Sequence, residues 1–298
     1  LHPQEIVLEN DKARVAVVPS LGGGLARLDV RDAEGRYRPL LRPWSGRITD
    51  GPFALGCNVL VPFSNRISQG GFVFGEHFHA VSPNLGGQEL PIHGDAFMRE
   101  WLIAGRDTST ITLHCPHGSI GPFRYDAKQT LVLSQTRLVV RLEVTSTSPT
   151  ALPFGIGFHP WFPRSARTTV RFSANKVWLE NERHLPLTLV DIDADGCWDF
   201  SAPTPLPAEW INNAFTGWLG SCDVEQGPDA VSFRLSASDN LDVTVVYSPG
   251  SDADFFCFEP VSHPVDAHNL PGMPGLTVLQ PGKTLTSSMT LDWSSSWH

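Results

Sequence analysis

Five stretches of this chain bring polar or titratable groups into apolar surroundings marked by glycine or proline: VPFSNRI at 61–67, GEHFHA at 75–80, PIHGD at 91–95, GIGFHPWF at 155–162 and FFCFEPVSHPVDAHN at 255–269. His159 stands among Phe158, Pro160, Trp161 and Phe162. Such a setting partly desolvates an imidazole and is expected to hold its pKa near the working pH, as a general acid or base requires. A buried histidine bonded to a backbone carbonyl is the competing reading. Glu259 ends the run DFFCFE, whose alternation suits a strand with Glu259 on the side of Phe255 and Cys257. An ionised carboxylate on so apolar a strand needs a partner or a task, because burying it unpaired is expensive. One reading is an ion pair with an arginine; the other is a general base, with Pro260 stiffening the chain beside it.

Arg66 follows Asn65 after an apolar stretch, and its forked donors suit vicinal hydroxyls or a carboxylate, with a structural salt bridge as the alternative. His93 precedes Gly94, so a ligand could approach the backbone there, although a plain turn also explains the pair. His77-x-His79, with Gly71 upstream, reproduces the start of a cupin-type metal motif. Pro83 and Asn84 stand where its acidic ligand belongs, and His114-x-x-His117 is isolated, so no metal is expected. The glycines Gly22–Gly24 follow a strand but precede another strand, where a phosphate cradle would need a helix N-terminus. A hairpin turn accounts for them. Nine tryptophans offer faces that stack on sugar C–H surfaces when exposed and fill core when buried.

The elements that must position these groups read as strands. Leu138, Val140, Leu142 and Val144 alternate with Arg141, Glu143 and Thr145, and Leu241, Val243, Val245 and Tyr247 with Asp242 and Thr244. Further strands are expected at 14–18, 25–30, 110–115, 130–133 and 231–235, separated by turn-rich segments such as SASDN at 236–240. The best helical candidates, 181–185 and 207–212, are short. Strand following strand argues for antiparallel sheet on sheet and against a βαβ dinucleotide fold. The Pro-rich SAPTPLPAEW at 201–210 is too short to mark a boundary, so 1–298 is taken as a single domain.

Composition bounds the partners. With 298 residues, 41% hydrophobic and 18% charged, the chain has material for a large core. Its 26 glycines and 25 prolines oppose an all-helical fold, and a net charge of −9 opposes nucleic acid as a partner. No apolar run reaches the roughly 20 residues of a spanning helix. The opening LHPQEIVLENDK lacks the order of a secretory signal, and the start at Leu1 leaves a preceding segment open. Five cysteines without a close pair read as reduced thiols, hence a cytoplasmic protein.

Taken in order, PFSNRI, the F-x-F-G of Phe72 to Gly75, PIHG, GFHPWF, INNAFTGW at 211–218 and CFEPVSHPVDAHN resemble the aldose 1-epimerase (galactose mutarotase) family over roughly Arg14 to Trp293. The resemblance implies an all-β fold, a single large antiparallel β-supersandwich with a sugar site on its concave face. It implies no cofactor, and interconversion of the α and β anomers of an aldose by a monomer or homodimer. It also implies Arg66 and His93 as substrate binders, His159 as general acid and Glu259 as general base; Asn65, Asn212 and Trp161 are placed beside them as sugar contacts.

One departure stands out. Where the family commonly carries an aspartate in the INNAFTGW block, this chain has Asn212 beside Asn213. An amide keeps hydrogen bonding and loses the charge. That suggests tolerance of an anionic sugar, such as a hexose 6-phosphate, a uronic acid or sulfoquinovose, held by Arg66, Arg47 or Arg164. Two other functions compete: a non-catalytic carbohydrate-binding or sensing sandwich, and a glycoside hydrolase or lyase pairing Glu259 with Asp95 or Asp266.

Overall fold

A computed structural model describes residues 3–192, 196–228 and 230–294; the Leu1 start lies outside them. Among these residues the chain forms strands and short 3-10 turns, with no α-helix. Two antiparallel sheets dominate. The 11-stranded sheet runs, from one edge, through Ile6–Glu9, Ala13–Val18, Gly24–Arg31, Cys57–Leu60, Gly157–Pro163, Phe255–Val261, Val243–Ser248, Ile211–Thr216, Lys176–Glu180 and Pro186–Asp191, with Tyr37–Pro39 branching off Gly24–Arg31. The 9-stranded sheet is centred on the long strands Thr110–Ile120, Phe123–Leu133, Arg137–Ser146 and Thr284–Asp292.

The long strands follow the alternation of their sequence. Along Arg137–Ser146, Leu138, Val140, Leu142 and Val144 are fully buried while Arg137 and Arg141 face solvent. Each such leucine contributes about 1.5–3 kcal/mol by leaving water. The inner face of the smaller sheet shares one core with the larger sheet, as where Phe233, on its strand Phe233–Ala237, meets the Phe162 ring at 4.6 Å.

The larger sheet is buried on both faces over its centre. Val246 faces the shared core and Thr244 is fully buried, while Val243 and Val245 join Leu60, Ala214 and Val261 in a second apolar cluster on the opposite, outer face. The alternation of 241–247 therefore separates two interiors rather than core from solvent. The outer face lies beneath loops that cross near Val61 and Gly94, whose backbones pair; a Cβ on Gly94, at φ 68°, would fall 1.9 Å from the Val61 carbonyl oxygen.

Gly22 and Gly23, at φ 65° and 60°, make the turn between Ala13–Val18 and Gly24–Arg31, the expected hairpin. Neither helical candidate forms. Residues 181–185 are a tight turn in which the Asn181 side chain accepts from the amides of Arg183 and Leu185, and His184 sits at φ 57°. Ile211 and Asn212 open the strand Ile211–Thr216. The supposed linker contains Thr204–Pro205, which pairs with Thr169–Arg171 in the smaller sheet.

Candidate active site

His159 and Glu259 lie on neighbouring central strands, Gly157–Pro163 and Phe255–Val261. The register sets Gly157 opposite Val261 and Trp161 opposite Cys257, which places His159 directly across from Glu259. Between those pairs the ladder is interrupted at Pro160 and Pro260, which have no N–H to donate. Residues opposite one another in an antiparallel pair share a face at short range, and the His159 Nε2 and Glu259 Oε1 atoms are 3.5 Å apart.

Both are buried, and their protonation follows. Burial pushes the Glu259 carboxyl up to about 8, opposed by the Arg66 charge. Burial takes the His159 imidazole down to about 3, aided by the Arg42 charge. The aromatic setting thus depresses His159 far more than the sequence suggests, because the ring loses nearly all contact with water. Burial thus favours the neutral form of each group, the protonated carboxyl of Glu259 and the uncharged imidazole of His159. Glu259 Oε2 and His159 Nδ1 have no hydrogen-bond partner among the described residues.

Asn65 and His93 form a second unit. Both take left-handed backbone conformations, at φ 52° and 60°. The Asn65 amide donates to His93 Nδ1 at 2.9 Å, and the His93 amide returns a 2.9 Å bond to the Asn65 carbonyl. Nδ1 accepts, and burial, with the Arg66 charge beside it, lowers the His93 pKa well below the usual value, so the neutral ring carries its hydrogen on Nε2. Its centroid lies 5.2 Å from that of His159. The Asn65 side-chain oxygen also holds the Arg66 guanidinium, at 3.1 Å.

These groups line a cavity of about 140 Å³ together with Ile92, His184, Trp210, Asn212 and Tyr247. A larger cavity, about 320 Å³, is walled mainly by apolar residues around Trp178 and contains none of the candidate residues. Its size does not make it the reactive site, because no acid–base pair faces it.

Of the residues picked from sequence, Arg66, His93, His159, Glu259, Asn65 and Asn212 meet in the smaller cavity. Trp161 does not join them. Its ring stacks on His159, with centroids 4.9 Å apart and planes 3° from parallel, while the guanidinium of the half-buried Arg42 lies 4.0 Å from its centre. Trp161 backs His159 instead of facing the cavity. Arg47 is an exposed partner of Asp50, and Arg164 is bonded to Ser248 and to the Leu206 and Pro207 carbonyls, which leaves Arg66 as the arginine at the cavity.

Asp95 is bound to Tyr125 and Arg99, and Asp266 to Ser68 and Asn269. Neither lines the cavity, so neither supplies the carboxylate pair a glycosidase would need. Among the described residues, one group of three donors lies close enough to share a cation: His159, Cys257 and Glu259, within 4.8 Å of one another. It coincides with the acid–base pair, and the charges of Arg66 and Arg42 oppose a dication there. His77 and His79 stand on the hairpin strand His77–Ala80 outside any such group.

Sequence reading missed His184, Trp210, Tyr247 and Glu180. Glu180, on Lys176–Glu180, accepts from Trp210 Nε1 at 2.8 Å, Asn212 Nδ2 at 2.7 Å and His184 Nδ1 at 3.0 Å. The spacing Trp210-x-Asn212, two same-face positions entering a strand, is the signal that could have drawn attention to Trp210. Nothing local singles out Glu180.

An antiparallel supersandwich with an acid–base pair across two central strands defines the class, and comparison with known proteins supplies the family. The aldose 1-epimerase family profile matches residues 4–292, and the chain belongs to that family. It is 35% identical over 287 residues to the uncharacterised protein YphB of Escherichia coli K12, covering 91% of this chain and 97% of that one. A crystal structure from the same organism, provisionally described as an aldose 1-epimerase, superimposes with a TM-score of 0.89 at 31% identity over 98% of this chain and 99% of that one. A galactose mutarotase-like protein of Clostridium acetobutylicum, at 17% identity and covering 96% and 94% of the two chains, shares the fold with a TM-score of 0.82.

Proposed function

We propose that the protein is a mutarotase, interconverting the α and β anomers of an aldose by acid–base ring opening and reclosure. The observation that carries this reading is geometric: His159 and Glu259, both buried, face one another across 3.5 Å at the cavity. The ring oxygen and the anomeric hydroxyl are bonded to the same carbon, so two groups this close can serve both.

Opening requires one group to take the anomeric hydroxyl proton as the C1–O bond becomes a carbonyl, while the other protonates the ring oxygen as the C1–ring-oxygen bond breaks. Rotation about C1–C2 presents the other carbonyl face. Closure then removes the proton from the chain hydroxyl and returns one to the new anomeric oxygen. Nothing is oxidised, and the pair ends with the proton it began with. Burial favours a start with Glu259 as donor and His159 as acceptor; on closure the two exchange, so each also plays the part that the resemblance implies for it. His93 Nε2–H and Arg66 supply fixed donors for sugar oxygens, and the half-exposed Trp210 offers a ring face.

The sugar we favour is neutral. Although position 212 lost a charge, Glu180 stands against Asn212 and keeps a carboxylate at that wall. An anionic sugar is the second reading, favoured by Arg66, which has no carboxylate within ion-pair distance among the described residues. The named groups of the site belong to one chain, which accords with a monomer or a homodimer. The described cysteines are unbridged, which accords with a cytoplasmic setting. NMR exchange between anomers, over a panel of neutral and anionic aldoses, tests the reading. Catalysed exchange in the wild type, lost in His159→Ala and Glu259→Gln, is expected. Sugar binding without exchange would select a sensing role, and release of a reducing end from a glycoside would select hydrolysis.

A further inference from the structure

The unusual feature of the cavity wall is where its negative charge sits. Glu180 is held by three donors, and each donor belongs to a residue that lines the cavity: Asn212, His184 and Trp210. Glu180 itself is not among the lining residues, and its side chain is 19% exposed. The register that sets Trp178 opposite Ala214 brings Glu180 across from Asn212 two residues further on.

A carboxylate only accepts hydrogen bonds. The Asn212 amide must therefore turn its nitrogen toward Glu180, and its oxygen, which receives no hydrogen bond from the described residues, is left for the cavity. A free asparagine presents donor and acceptor indifferently; this one is held as an acceptor. By the same logic His184 Nδ1 carries its hydrogen, and the Trp210 ring is fixed by its indole N–H.

We propose that Glu180 is a positioning and selectivity residue: it fixes Asn212 as an acceptor for a sugar hydroxyl, and its charge behind that wall disfavours anionic sugars. The proposal rests on the mutarotase reading for its substrate class, and it assigns to the Lys176–Glu180 strand the charge absent from position 212. Arg66 is near enough to feel Glu180, so the two charges partly cancel across the cavity.

The test compares wild type, Glu180→Gln, Asn212→Ala, Glu180→Gln/Asn212→Ala and Glu180→Gln/Asn212→Asp. Two measurements are made with glucose or galactose and the matching uronic acid: binding by titration calorimetry, and anomeric exchange by NMR. Glutamine can donate as well as accept, so it releases the Asn212 amide to flip. Glu180→Gln is expected to raise KM for the neutral sugar about tenfold with kcat little changed, and to shift the uronate-to-neutral affinity ratio about tenfold toward the uronate. Adding Asn212→Ala to Glu180→Gln should cost nothing further, because the two residues act as one unit. Asn212→Asp should restore neutral-sugar affinity in the Glu180→Gln background by returning the acceptor and its charge directly.

Unchanged KM and unchanged ratio in a folded Glu180→Gln protein overturn the proposal, as do additive losses from the two substitutions. Should Glu180→Gln fail to fold, Asn212→Ala in the wild-type background still decides: the proposal requires its neutral-sugar affinity to drop. Absence of exchange in the wild type would count against the mutarotase reading alone, because the binding titrations still report on Glu180.

Discussion

The strands Phe123–Leu133 and Arg137–Ser146 and the strands Gly157–Pro163 and Phe255–Val261 belong to the same sandwich but obey different rules. In the first pair buried and accessible positions alternate almost without fault. In the second every position is buried except one terminal residue of each strand, Pro163 and Phe255. One wet face forces alternation; two dry faces remove it, and any polar side chain left there must be satisfied or employed. Regular strands therefore spend their side chains on stability, and the strands of the candidate site hold groups whose burial works against it.

Substitutions separate the two. The largest effect is expected at the catalytic pair: His159→Ala or Glu259→Gln should lower kcat/KM for anomeric exchange by about 10²–10⁴-fold with the fold retained, measured by NMR exchange alongside far-UV circular dichroism. Leu142→Ala, in the regular pair, should do the opposite. It should cost about 2–5 kcal/mol of stability in a denaturant titration while the folded fraction keeps its kcat. If Leu142→Ala slowed exchange and spared stability, the contrast would collapse.

The pH dependence sharpens the comparison further. Glu259 must hold its proton to act first as acid, so kcat/KM should fall about tenfold per pH unit above about 8 and stay level below it toward neutrality. Stability responds to the same group. Its folded pKa is raised, so the folded state binds more protons than the unfolded one between the ordinary carboxylate range and about pH 8, and stability falls as pH rises through that window. Glu259→Gln should therefore raise Tm at pH 8 relative to wild type, a gain that shrinks toward pH 4. The buried neutral histidines His159, His263 and His268, with pKa values lowered mainly by burial, give the converse slope. They lose stability as pH drops below about 6.5, where the unfolded chain takes up protons that the folded chain refuses. The smallest effect is expected on the wet face: Lys128→Ala, which removes the half-exposed pair with Glu143, should change stability by less than about 0.5 kcal/mol.

The same contrast explains what the sequence could reveal. Leu138 to Val144 announce their strand because water lies on one side of it. His159 and Glu259 are legible for the reverse reason, as titratable residues in runs too apolar to leave them idle, and Arg66 and His93 stand in recognisable loops. Trp161 was misplaced because an aromatic beside a histidine looks the same in sequence whether it faces a ligand or supports the ring. The turn at 181–185 passed for a helix because Asn181 closes it with side-chain bonds that leave no periodic trace. Glu180 was invisible: its meaning comes from Asn212, Trp210 and His184, and only the pairing of Lys176–Glu180 with Ile211–Thr216 brings them together.

The order of strands in the larger sheet has an evolutionary corollary. The proton-transfer pair occupies its centre, whereas Glu180 and Asn212 stand on strands nearer one edge, with a single strand, Pro186–Asp191, beyond them. On the reading proposed above, proton transfer sits on the central strands and part of the recognition on strands nearer the edge. If Glu180 acts as proposed, substitutions on the outer strands would change substrate preference without touching the central pair.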